Sequence, residues 1–326
     1  MITQVTSNVK GRGTQSFHSK YVLLHGGNGS GKSSLVHALE LGCFKCVHDA
    51  AGKDIKVKRH LNYLSPVRQG DVTSEISLDT GERLALGSKN SRVFFPAVNI
   101  AQQALSGGTN ALCRFLLKHW DSDMELPLSM PEWGTYVESY GSPRHALLHV
   151  EDVTQKSLRG CREAKKELEI VRRYVEGFSD YDGMKKMQDD LEAQHKKTQA
   201  EIQRQMRRFV MSNSAAIEGA MRRYIPDSLP DAWLAFDGKD IRMGFVDRPV
   251  PSGAESVILA VALAAVTLPL EDSVYIFPDR AYDSKTLGAM MRTASIIPAA
   301  GVYIQSTVLP EDYDAEALGW QIVTLS

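Results

Sequence analysis

Apolar residues in the first part of the chain fall into short runs and alternating stretches that are typical of β-strands. One later segment has a helical pattern. The predicted strands and apolar segments are Ile2–Val9, Tyr21–Leu24, Val72–Leu78 and Phe94–Val98, and the predicted helix is Ala111–Trp120. This mixture predicts an α/β region over residues 1–152.

The pattern changes between residues 153 and 224, where charged residues are frequent and proline is absent. Apolar side chains recur there at steps of three and four, which predicts two helices that each bury one stripe. The first stripe is Cys161, Ala164, Leu168, Val171, Val175 and Phe178, and the second is Met184, Met187, Leu191, Thr198, Ile202, Met206 and Phe209. Gly177 and Gly183 interrupt the pattern, so the segment predicts an antiparallel coiled-coil hairpin.

Residues 225–326 return to a mixed pattern, with an apolar helix predicted at Ser256–Leu268. The predicted strands around it are Ala232–Phe236, Ile241–Val246, Ser273–Phe277, Gly301–Gln305 and Trp320–Leu325. The chain therefore divides into an N-terminal lobe at 1–152, a hairpin at 153–224 and a C-terminal lobe at 225–326.

Composition narrows the possible partners. The 326 residues carry a net charge of −1, so contact with nucleic acid requires a local basic patch. Four cysteines without a signal peptide indicate a reducing cytoplasm. Cys43 and Cys46 form a C-x-x-C without a second pair, which favours buried helix positions over a metal site. The most apolar run, Val257–Leu270, is shorter than the about 20 residues that span a bilayer, so no membrane contact is expected.

The strongest chemical signal is a phosphate-binding loop. Residues 26–33 spell Gly-Gly-Asn-Gly-Ser-Gly-Lys-Ser, the pattern G-x-x-x-x-G-K-[ST], between a predicted strand and a helical stretch. Such glycines let backbone N–H groups face a polyphosphate, and the helix N-terminus adds its positive end. Lys32 is expected to reach the β and γ phosphates, and Ser33 to coordinate Mg²⁺. The nucleotide-binding residues predicted here are Gly26, Gly27, Asn28, Gly29, Ser30, Gly31, Lys32, Ser33 and Ser34.

A candidate acid for the same site, Asp279, comes far along the chain, and an inserted coiled-coil hairpin explains the separation. The chain resembles the SMC, RecF and SbcC group of ABC-type ATPases. The resemblance rests on the phosphate loop, on the opening segment from Ile2 to Arg12 and on the hairpin inserted between two lobes. The resemblance implies an α/β P-loop head of two lobes with an inserted antiparallel coiled-coil hairpin. It also implies that ATP and Mg²⁺ are the cofactors, and that two heads dimerise around two ATP molecules.

In that group, a serine-glycine segment at a helix N-terminus of the opposing subunit caps the γ phosphate. The segment 251–255, Pro-Ser-Gly-Ala-Glu, matches in part, because the family has a second glycine where Ala254 stands. The resemblance therefore assigns nucleotide contacts to Ser252, Gly253 and Glu255. A plain helix cap is the alternative interpretation, with Ser252 as the cap and Glu255 completing a capping box.

The resemblance also assigns a metal-binding and catalytic role to Asp279, which follows a predicted buried strand, and a catalytic role to Lys32. The family's general-base glutamate would come next, but the chain has Arg280, which cannot accept a proton. A histidine that senses the γ phosphate is likewise replaced in the run Gln305-Ser306-Thr307.

Two further assignments rest on the resemblance. Asp283 corresponds to the later D-loop and is expected near the nucleotide, although its spacing from Asp279 is short. Gln102 or Gln103 is expected to contact the metal and its water, and Gln102 is taken as the metal-binding and catalytic residue. Exposed loop amides are the alternative interpretation of both glutamines.

These departures predict an ATP-binding head whose hydrolysis is slow or depends on a partner. The resemblance implies that it acts on DNA in repair, recombination or replication, as an ATP-linked homodimer in the cytoplasm of a cell or of a phage host. The alternatives are a non-hydrolysing ATP-gated clamp or scaffold, and the regulatory ATPase of a nuclease or toxin pair with a separate nuclease subunit. A transporter ATPase lacks such a hairpin, and a GTP switch would need an Asn-Lys-x-Asp motif that the chain does not have.

Contact with DNA would depend on clustered basic side chains, although such clusters are most often solvated surface. The predicted phosphate contacts are Lys53, Lys56, Lys58, Arg59, Arg204, Arg207, Arg208, Arg222 and Arg223.

Overall fold

The computed structural model describes residues 1–11, 13–48, 54–55, 72–87, 94–130, 132–174, 180–238, 240–280, 282–311 and 314–326. It divides into two compact units. Unit 1 comprises Met1–Ala111 and Ala215–Ser326, and unit 2 comprises Leu112–Ser214. The division into lobes and a hairpin at residues 152 and 224 stays a prediction.

The secondary structure confirms the predicted mixed α/β class. The strands are β1 (Ile2–Ser7), β2 (Gly13–Ser16), β3 (Tyr21–His25), β4 (Val47–His48), β5 (Asp54–Ile55), β6 (Ser74–Leu78), β7 (Arg83–Ala85), β8 (Phe95–Pro96), β9 (Ala232–Phe236), β10 (Ile241–Phe245), β11 (Ser273–Ile276), β12 (Gly301–Ser306) and β13 (Trp320–Thr324). The helices are α1 (Lys32–Phe44), α2 (Ala97–Ser106), α3 (Gly108–His119), α4 (Trp133–Tyr140), α5 (Pro143–Tyr174), α6 (Tyr181–Met221), α7 (Gly253–Thr267) and α8 (Ser284–Ala294).

A parallel five-stranded sheet organises unit 1, in the order β13-β3-β12-β11-β8. The three residues at the centre of β3, Val22 to Leu24, are completely buried, as is β11 apart from a small exposed fraction of Ile276. Burial on both faces explains why these strands are continuous apolar runs rather than alternating ones. Because parallel strands share their direction, the carboxyl ends of β3, β12 and β11 meet at one edge of the sheet.

Helix α1 lies between this sheet and an antiparallel sheet of order β2-β1-β6-β7. One hydrophobic cluster contains α1 side chains such as Leu35 and Leu39 together with Val22 of the parallel sheet and Ile76 of the antiparallel sheet. All four are at most 2% exposed. The first helix after the phosphate loop is therefore held from two sides.

Helix α7 is apolar around almost its whole circumference because it packs against α2, which in turn contacts β11. The sequence predicted its start at Ser256, but the helix begins at Gly253. The earlier start follows from the cap at Ser252, which satisfies the backbone N–H of Glu255.

In unit 2, α5 and α6 are long antiparallel helices joined by side-chain contacts. Lys165 of α5 forms ion pairs with Asp189, at 2.5 Å, and with Glu192 of α6. Nearer the end of α5, the Tyr181 hydroxyl donates a hydrogen bond to Glu169. Residues that come later in α5 thus contact residues that come earlier in α6, as a hairpin requires. Supercoiling of this pair stays a prediction.

The predicted stripes on these helices are wrong in part. Cys161, Ile202, Met206 and Phe209 are buried as expected, but Met184, Met187, Leu191 and Val171 are exposed. Glu192, on the same helix as the exposed Met187 and Leu191, is buried instead. Lys165 and Lys196 neutralise its carboxylate. Gly183 lies inside α6 rather than in a break, and α5 begins at Pro143, before the predicted segment. Val175, Gly177 and Phe178 lie outside the described residues.

The packing of α1 against β6 gives a test of the fold. A Cβ added at Gly42 would lie 2.6 Å from Cγ2 of the fully buried Ile76, whose branched side chain cannot easily turn away. We expect Gly42→Ala to destabilise the protein by about 1–3 kcal/mol through overpacking. Gly219→Ala, at an open helical position of the same unit, is expected to stabilise it by up to about 1 kcal/mol. Urea denaturation of both variants checks the pair, and equal effects would contradict the packing of α1 on β6.

Candidate functional site

The loop between β3 and α1 is anchored at the carboxyl edge of the parallel sheet. The backbone N–H of Gly26 donates to the Ser306 carbonyl at 3.3 Å, and the N–H of Leu325 donates to the His25 carbonyl at 2.8 Å. A Cβ at Gly26 would lie 2.5 Å from both the Leu325 carbonyl oxygen and Ser30 Oγ, so no larger residue fits there. The loop is thus tied at its start to both neighbours of β3.

The remaining loop has the left-handed turns that its glycines permit. Gly29 and Gly31 have φ values of 84° and 89°, and Gly31 is the N-cap of α1 without a side-chain cap. Left-handed residues next to a helix start turn backbone N–H groups to one side. The arrangement is chemically suited to an anion, because the N-terminus of α1 contributes its positive end.

Lys32, the first residue of α1, is only 4% exposed. Its Nζ donates to the carbonyl of Gly26 at 2.6 Å and to that of Gly27 at 3.0 Å, so the ammonium lies under the loop. Ser30 and Ser34 are buried, whereas Asn28 and Ser33 are exposed. The structure therefore brings all the predicted loop residues together at the sheet edge.

Asp279 is placed three residues beyond the end of β11, where its side chain is exposed. Asp279 follows β11 and the phosphate loop follows β3. These two strands are not direct neighbours, because β12 lies between them. Both lie at the carboxyl ends of parallel strands, where ligands bind in open α/β sheets.

Gln305 lies at the end of the intervening strand β12, and the sequence predicted no role for it. It is 3% exposed, pairs in register with Leu24 of β3, and donates from Nε2 to the Phe277 carbonyl beyond β11 at 3.4 Å. Its Oε1 is buried without a protein partner. Thr307 is exposed beyond the strand. The strand prediction ended at Gln305, so a polar residue at the end of a buried central strand was the available signal.

Gln102 and Gln103 both lie inside α2, so the alternative interpretation of them as loop amides is wrong in its setting. Gln103 is exposed. Gln102 is 8% exposed, and its Oε1 is buried without a protein partner. Asn99, one turn earlier, has a similarly buried and unpartnered Oδ1. These two amides therefore offer acceptor atoms on one side of α2, and Asn99 had no sequence signal of its own.

The segment before α7 forms a complete capping box. Glu255 N–H donates to Ser252 Oγ at 3.3 Å, and Ser252 N–H donates to Glu255 Oε2 at 2.7 Å. Arg248 pairs with the other carboxylate oxygen, Oε1, at 2.5 Å. The helix-cap interpretation is thus present in the structure, while a nucleotide role for the same residues stays a prediction. The bond from the Ser252 backbone, with smaller contributions from its side chain and from Arg248, lowers the pKa of Glu255.

Three predicted residues meet around one cavity of about 300 Å³ in unit 1, namely Ser252, Glu255 and Asp283. Asp283 is the N-cap of α8, where its carboxylate accepts from the N–H of Thr286 at 2.8 Å and from its hydroxyl at 2.6 Å. These bonds lower the pKa of Asp283, with the Thr286 side chain as the first cause.

Arg280 lies against the start of α7. A Cβ placed on Gly253 would be 3.8 Å from both Cδ and Nε of Arg280. Arg280 therefore packs beside the serine-glycine segment of its own chain.

No group of three His, Cys, Asp or Glu side chains that could hold a metal ion occurs in the described part of the chain. A Mg²⁺ ion bound through a nucleotide needs only one or two protein oxygens, because phosphates and waters supply the others. The exposed Ser33 hydroxyl and Asp279 carboxylate and the unpartnered Gln102 Oε1 are oxygen donors of the type that Mg²⁺ prefers.

Three of the candidate DNA-binding residues contact neighbouring side chains. Arg204 pairs with Glu201, Arg222 pairs with Asp231, and Arg223 stacks over Tyr224. Lys53, Lys56, Lys58 and Arg59 lie outside the described residues. None of the helices in the described ranges combines the length and the apolar character needed to cross a membrane.

No protein-family model matches the chain, and no curated protein is significantly similar to it. Among solved structures, the Smc head domain with an extended coiled coil bound to the C-terminal domain of ScpA, from Pyrococcus furiosus, is similar over 99% of this chain and 92% of that chain, with 14% identity and a TM-score of 0.36. RecF–ATP of the RecFOR pathway is similar over 96% and 93%, with 10% identity and a TM-score of 0.41. RecF–ATPrS is similar over 100% and 96%, with 10% identity and a TM-score of 0.44. Such low identities and TM-scores decide neither family nor activity.

The capping box gives a pH-dependent prediction. Because the folded-state pKa of Glu255 is lowered, its ionised form stabilises the protein at neutral pH, and this contribution is lost as the pH falls below the ordinary glutamate value of about 4.3. We expect Glu255→Gln to be less stable than wild type by about 1 kcal/mol at pH 7, with a difference that shrinks by pH 3. Denaturant titrations at both pH values check this.

The matched control is Glu271→Gln, since Glu271 is exposed and outside the capping box. Its stability should differ little from that of wild type at either pH. A stability deficit of Glu255→Gln that is the same at pH 7 and pH 3 would show that the charge of Glu255 is not what stabilises the start of α7.

Proposed function

We propose that the protein is an ATP-binding head of the SMC/SbcC type, and that two heads close around two Mg²⁺-ATP molecules. The observation that carries the proposal is the loop from Gly26 to Gly31, anchored at the carboxyl edge of a parallel sheet and followed directly by α1. A buried ammonium under the loop and a helix N-terminus beside it favour a polyphosphate over a neutral ligand.

Each predicted residue has a defined task in this proposal. The backbone of residues 26–31 and the Lys32 ammonium hold the phosphates, and Ser33 and Asp279 hold Mg²⁺, which neutralises phosphate charge when it is bound. Gln102, with its buried acceptor oxygen, orients a water on the metal side. Ser252 and Gly253 at the start of α7 meet the nucleotide of the opposing head, and Asp283 borders the same cavity.

The capping box does not conflict with a nucleotide contact at Ser252. Its Oγ accepts from the Glu255 N–H, and its hydroxyl hydrogen, which helps to lower the pKa of Glu255, can rotate from that carboxylate towards an incoming anion. The first backbone N–H groups of a helix have no intrahelical acceptor, so Gly253 and Ala254 can also donate to an anion. One segment can therefore start α7 and bind phosphate.

Dimerisation is tested by size exclusion with light scattering, with and without Mg²⁺-ATP. Wild type is expected to double its mass with ATP, whereas Lys32→Ala should stay monomeric because it loses charged hydrogen bonds worth about 10- to 100-fold in affinity. Ser252→Asp is the sharper variant. Aspartate still caps the helix, but its charge repels the γ phosphate of the opposing head.

Binding of a fluorescent ATP analogue separates the two variants. Ser252→Asp should bind nucleotide like wild type and fail only to dimerise, while Lys32→Ala should lose binding. If wild type binds ATP but its mass does not change, the proposed dimer is wrong. If Ser252→Asp dimerises as wild type does, Ser252 is only a helix cap.

We further propose that hydrolysis is slow unless a partner completes the site. Arg280 cannot accept a proton, and its side chain lies against Gly253 rather than providing a base. The same observation favours a second candidate function, a clamp that closes on ATP and never hydrolyses it. The two candidates differ only in turnover.

Arg280→Glu distinguishes these candidates in a multiple-turnover phosphate-release assay. A general base typically contributes 10² to 10⁴ in rate, so we expect the glutamate to raise turnover at least about tenfold. Arg280→Gln, which removes the charge without adding a base, is the control and should stay slow. No turnover in any variant would favour the clamp, and wild-type turnover above about 1 s⁻¹ would contradict slow hydrolysis.

The proposal includes DNA as the polymer on which the closed heads act, through repair, recombination or replication. Its support is the excess of basic over acidic residues between Thr154 and Arg223 in a chain that is nearly neutral overall. A separate nuclease subunit would supply any cutting. Both partners stay proposals.

A further inference from the structure

The chain reverses sharply after α1. This turn brings the side chains of Cys46 and His48 back beside the helix. Lys45 ends the helix in a left-handed conformation with φ 61°, and its N–H donates to the Leu41 carbonyl at 3.2 Å. Its ammonium donates to the carbonyls of Gly42 and Ala85. The C-x-x-C residue Cys46 therefore lies beyond the helix, not on it as the sequence predicted, and β4 begins at once.

His48, the second residue of β4, pairs with Glu40 of α1. Nδ1 of His48 lies 2.9 Å from Oε1 of Glu40, and the two side chains are only 2% and 4% exposed. The imidazole also packs edge-on against Phe44, at 5.8 Å between ring centroids. Such burial is costly for an unpaired carboxylate, so the two groups stabilise each other's charge.

Cys46 completes this cluster on the other side of the ring. Its Sγ lies 3.7 Å from Nε2 of His48. Burial opposes a charge on His48, but hydrogen bonds to Cys46 and Glu40 outweigh it and raise the pKa of His48 to about 10. At neutral pH the ring is therefore an imidazolium that donates from Nδ1 to a carboxylate and from Nε2 to sulfur.

Among the four cysteines, Cys46 is the one that is partly exposed, whereas Cys43, Cys113 and Cys161 are buried. Burial raises the pKa of the Cys43 thiol, and it raises that of Cys113 to about 12. Buried cysteines of this kind are inert, whereas a thiol beside a cation and open to solvent has the setting of reactive cysteines.

We propose that Cys46 is a nucleophilic thiol, activated by the His48–Glu40 pair, and that it is a site of modification by peroxides and other small electrophiles. Cys46 Sγ lies beside one ring nitrogen of His48, and the Glu40 carboxylate lies beside the other. A cysteine next to a cationic histidine that a carboxylate orients is the arrangement that activates cysteine nucleophiles. His48 and Glu40 are positioning residues here, because neither reacts.

In the reaction of Cys46 with a peroxide, the peroxide is itself the oxidant, so no further reactant is needed. The Cys46 thiolate attacks one peroxide oxygen, an S–O bond forms and the O–O bond breaks, and the departing hydroxide takes up a proton to become water. Sulfur is oxidised by two electrons to a sulfenic acid and the peroxide is reduced. The charged and titratable groups facing the sulfur in the described residues are Glu40, Lys45 and His48, with the Cys43 thiol on the helix behind them.

The test compares alkylation of Cys46 by iodoacetamide in the native and the urea-unfolded full chain, with peptide mass spectrometry to separate the four cysteines. An ordinary thiol is only about 1% ionised at pH 6.5. The imidazolium beside the sulfur stabilises the charge of the attacking thiolate, so we expect native Cys46 to react about tenfold faster than unfolded Cys46. The unfolded rate should rise about tenfold per pH unit between pH 6 and 8, and the native rate should rise less steeply.

His48→Gln provides the matched variant, because it removes the cation and keeps a hydrogen-bonding side chain. Its Cys46 should react at pH 6.5 no faster than an unfolded thiol, and circular dichroism would verify its fold. If it does not fold, the native and unfolded rates of wild type still decide the question. A native Cys46 that reacts no faster than the unfolded residue, or a rate that rises with pH like that of an ordinary thiol, would overturn the proposal.

Discussion

The placement of α1 between two sheets is the constraint on which the candidate site depends. Leu39 packs in the cluster that also contains Val22 of the parallel sheet and Ile76 of the antiparallel one, and none of these residues is exposed. The carboxyl end of the helix is fixed as well, by the cap at Lys45 and by the buried Glu40–His48 pair. Because both sheets hold α1, its N-terminus stays at the sheet edge, and the loop that precedes it is shaped before any ligand arrives.

The start of α7 shows how a few polar residues can begin an apolar helix. Ser252 and Glu255 satisfy each other's backbone N–H groups, so an apolar helix can begin where the chain leaves a polar stretch. Arg280 packs beside Gly253 at this point. The same corner holds the Glu255 carboxylate, which the Ser252 N–H and Arg248 keep in its charged form.

The sequence predicts those parts of the fold and of the candidate site that depend on residues close to one another along the chain. The loop at residues 26–33 and the strands around it follow from glycine spacing and from continuous apolar runs, which need no knowledge of distant residues. The helical setting and the burial of Gln102 did not follow from the sequence, because they depend on the packing of α2 against α7. Met187 was assigned to a buried stripe, yet Glu192 is buried instead, because Lys165 on the facing helix neutralises it. Gln305 needed the register with Leu24, which only the folded sheet provides.

The side chains at the carboxyl edge of the sheet differ in what they can do chemically. Lys32 and the loop backbone stabilise negative charge, and the amide oxygen of Gln305 can accept a hydrogen bond from a water. Amides, unlike a glutamate or a histidine, do not titrate, so they can orient a water without taking its proton. Thr307 and Arg280 do not supply a base either. The groups at this edge that could bind an anion or orient a water are therefore different from the Asp279 carboxylate, which could accept a proton.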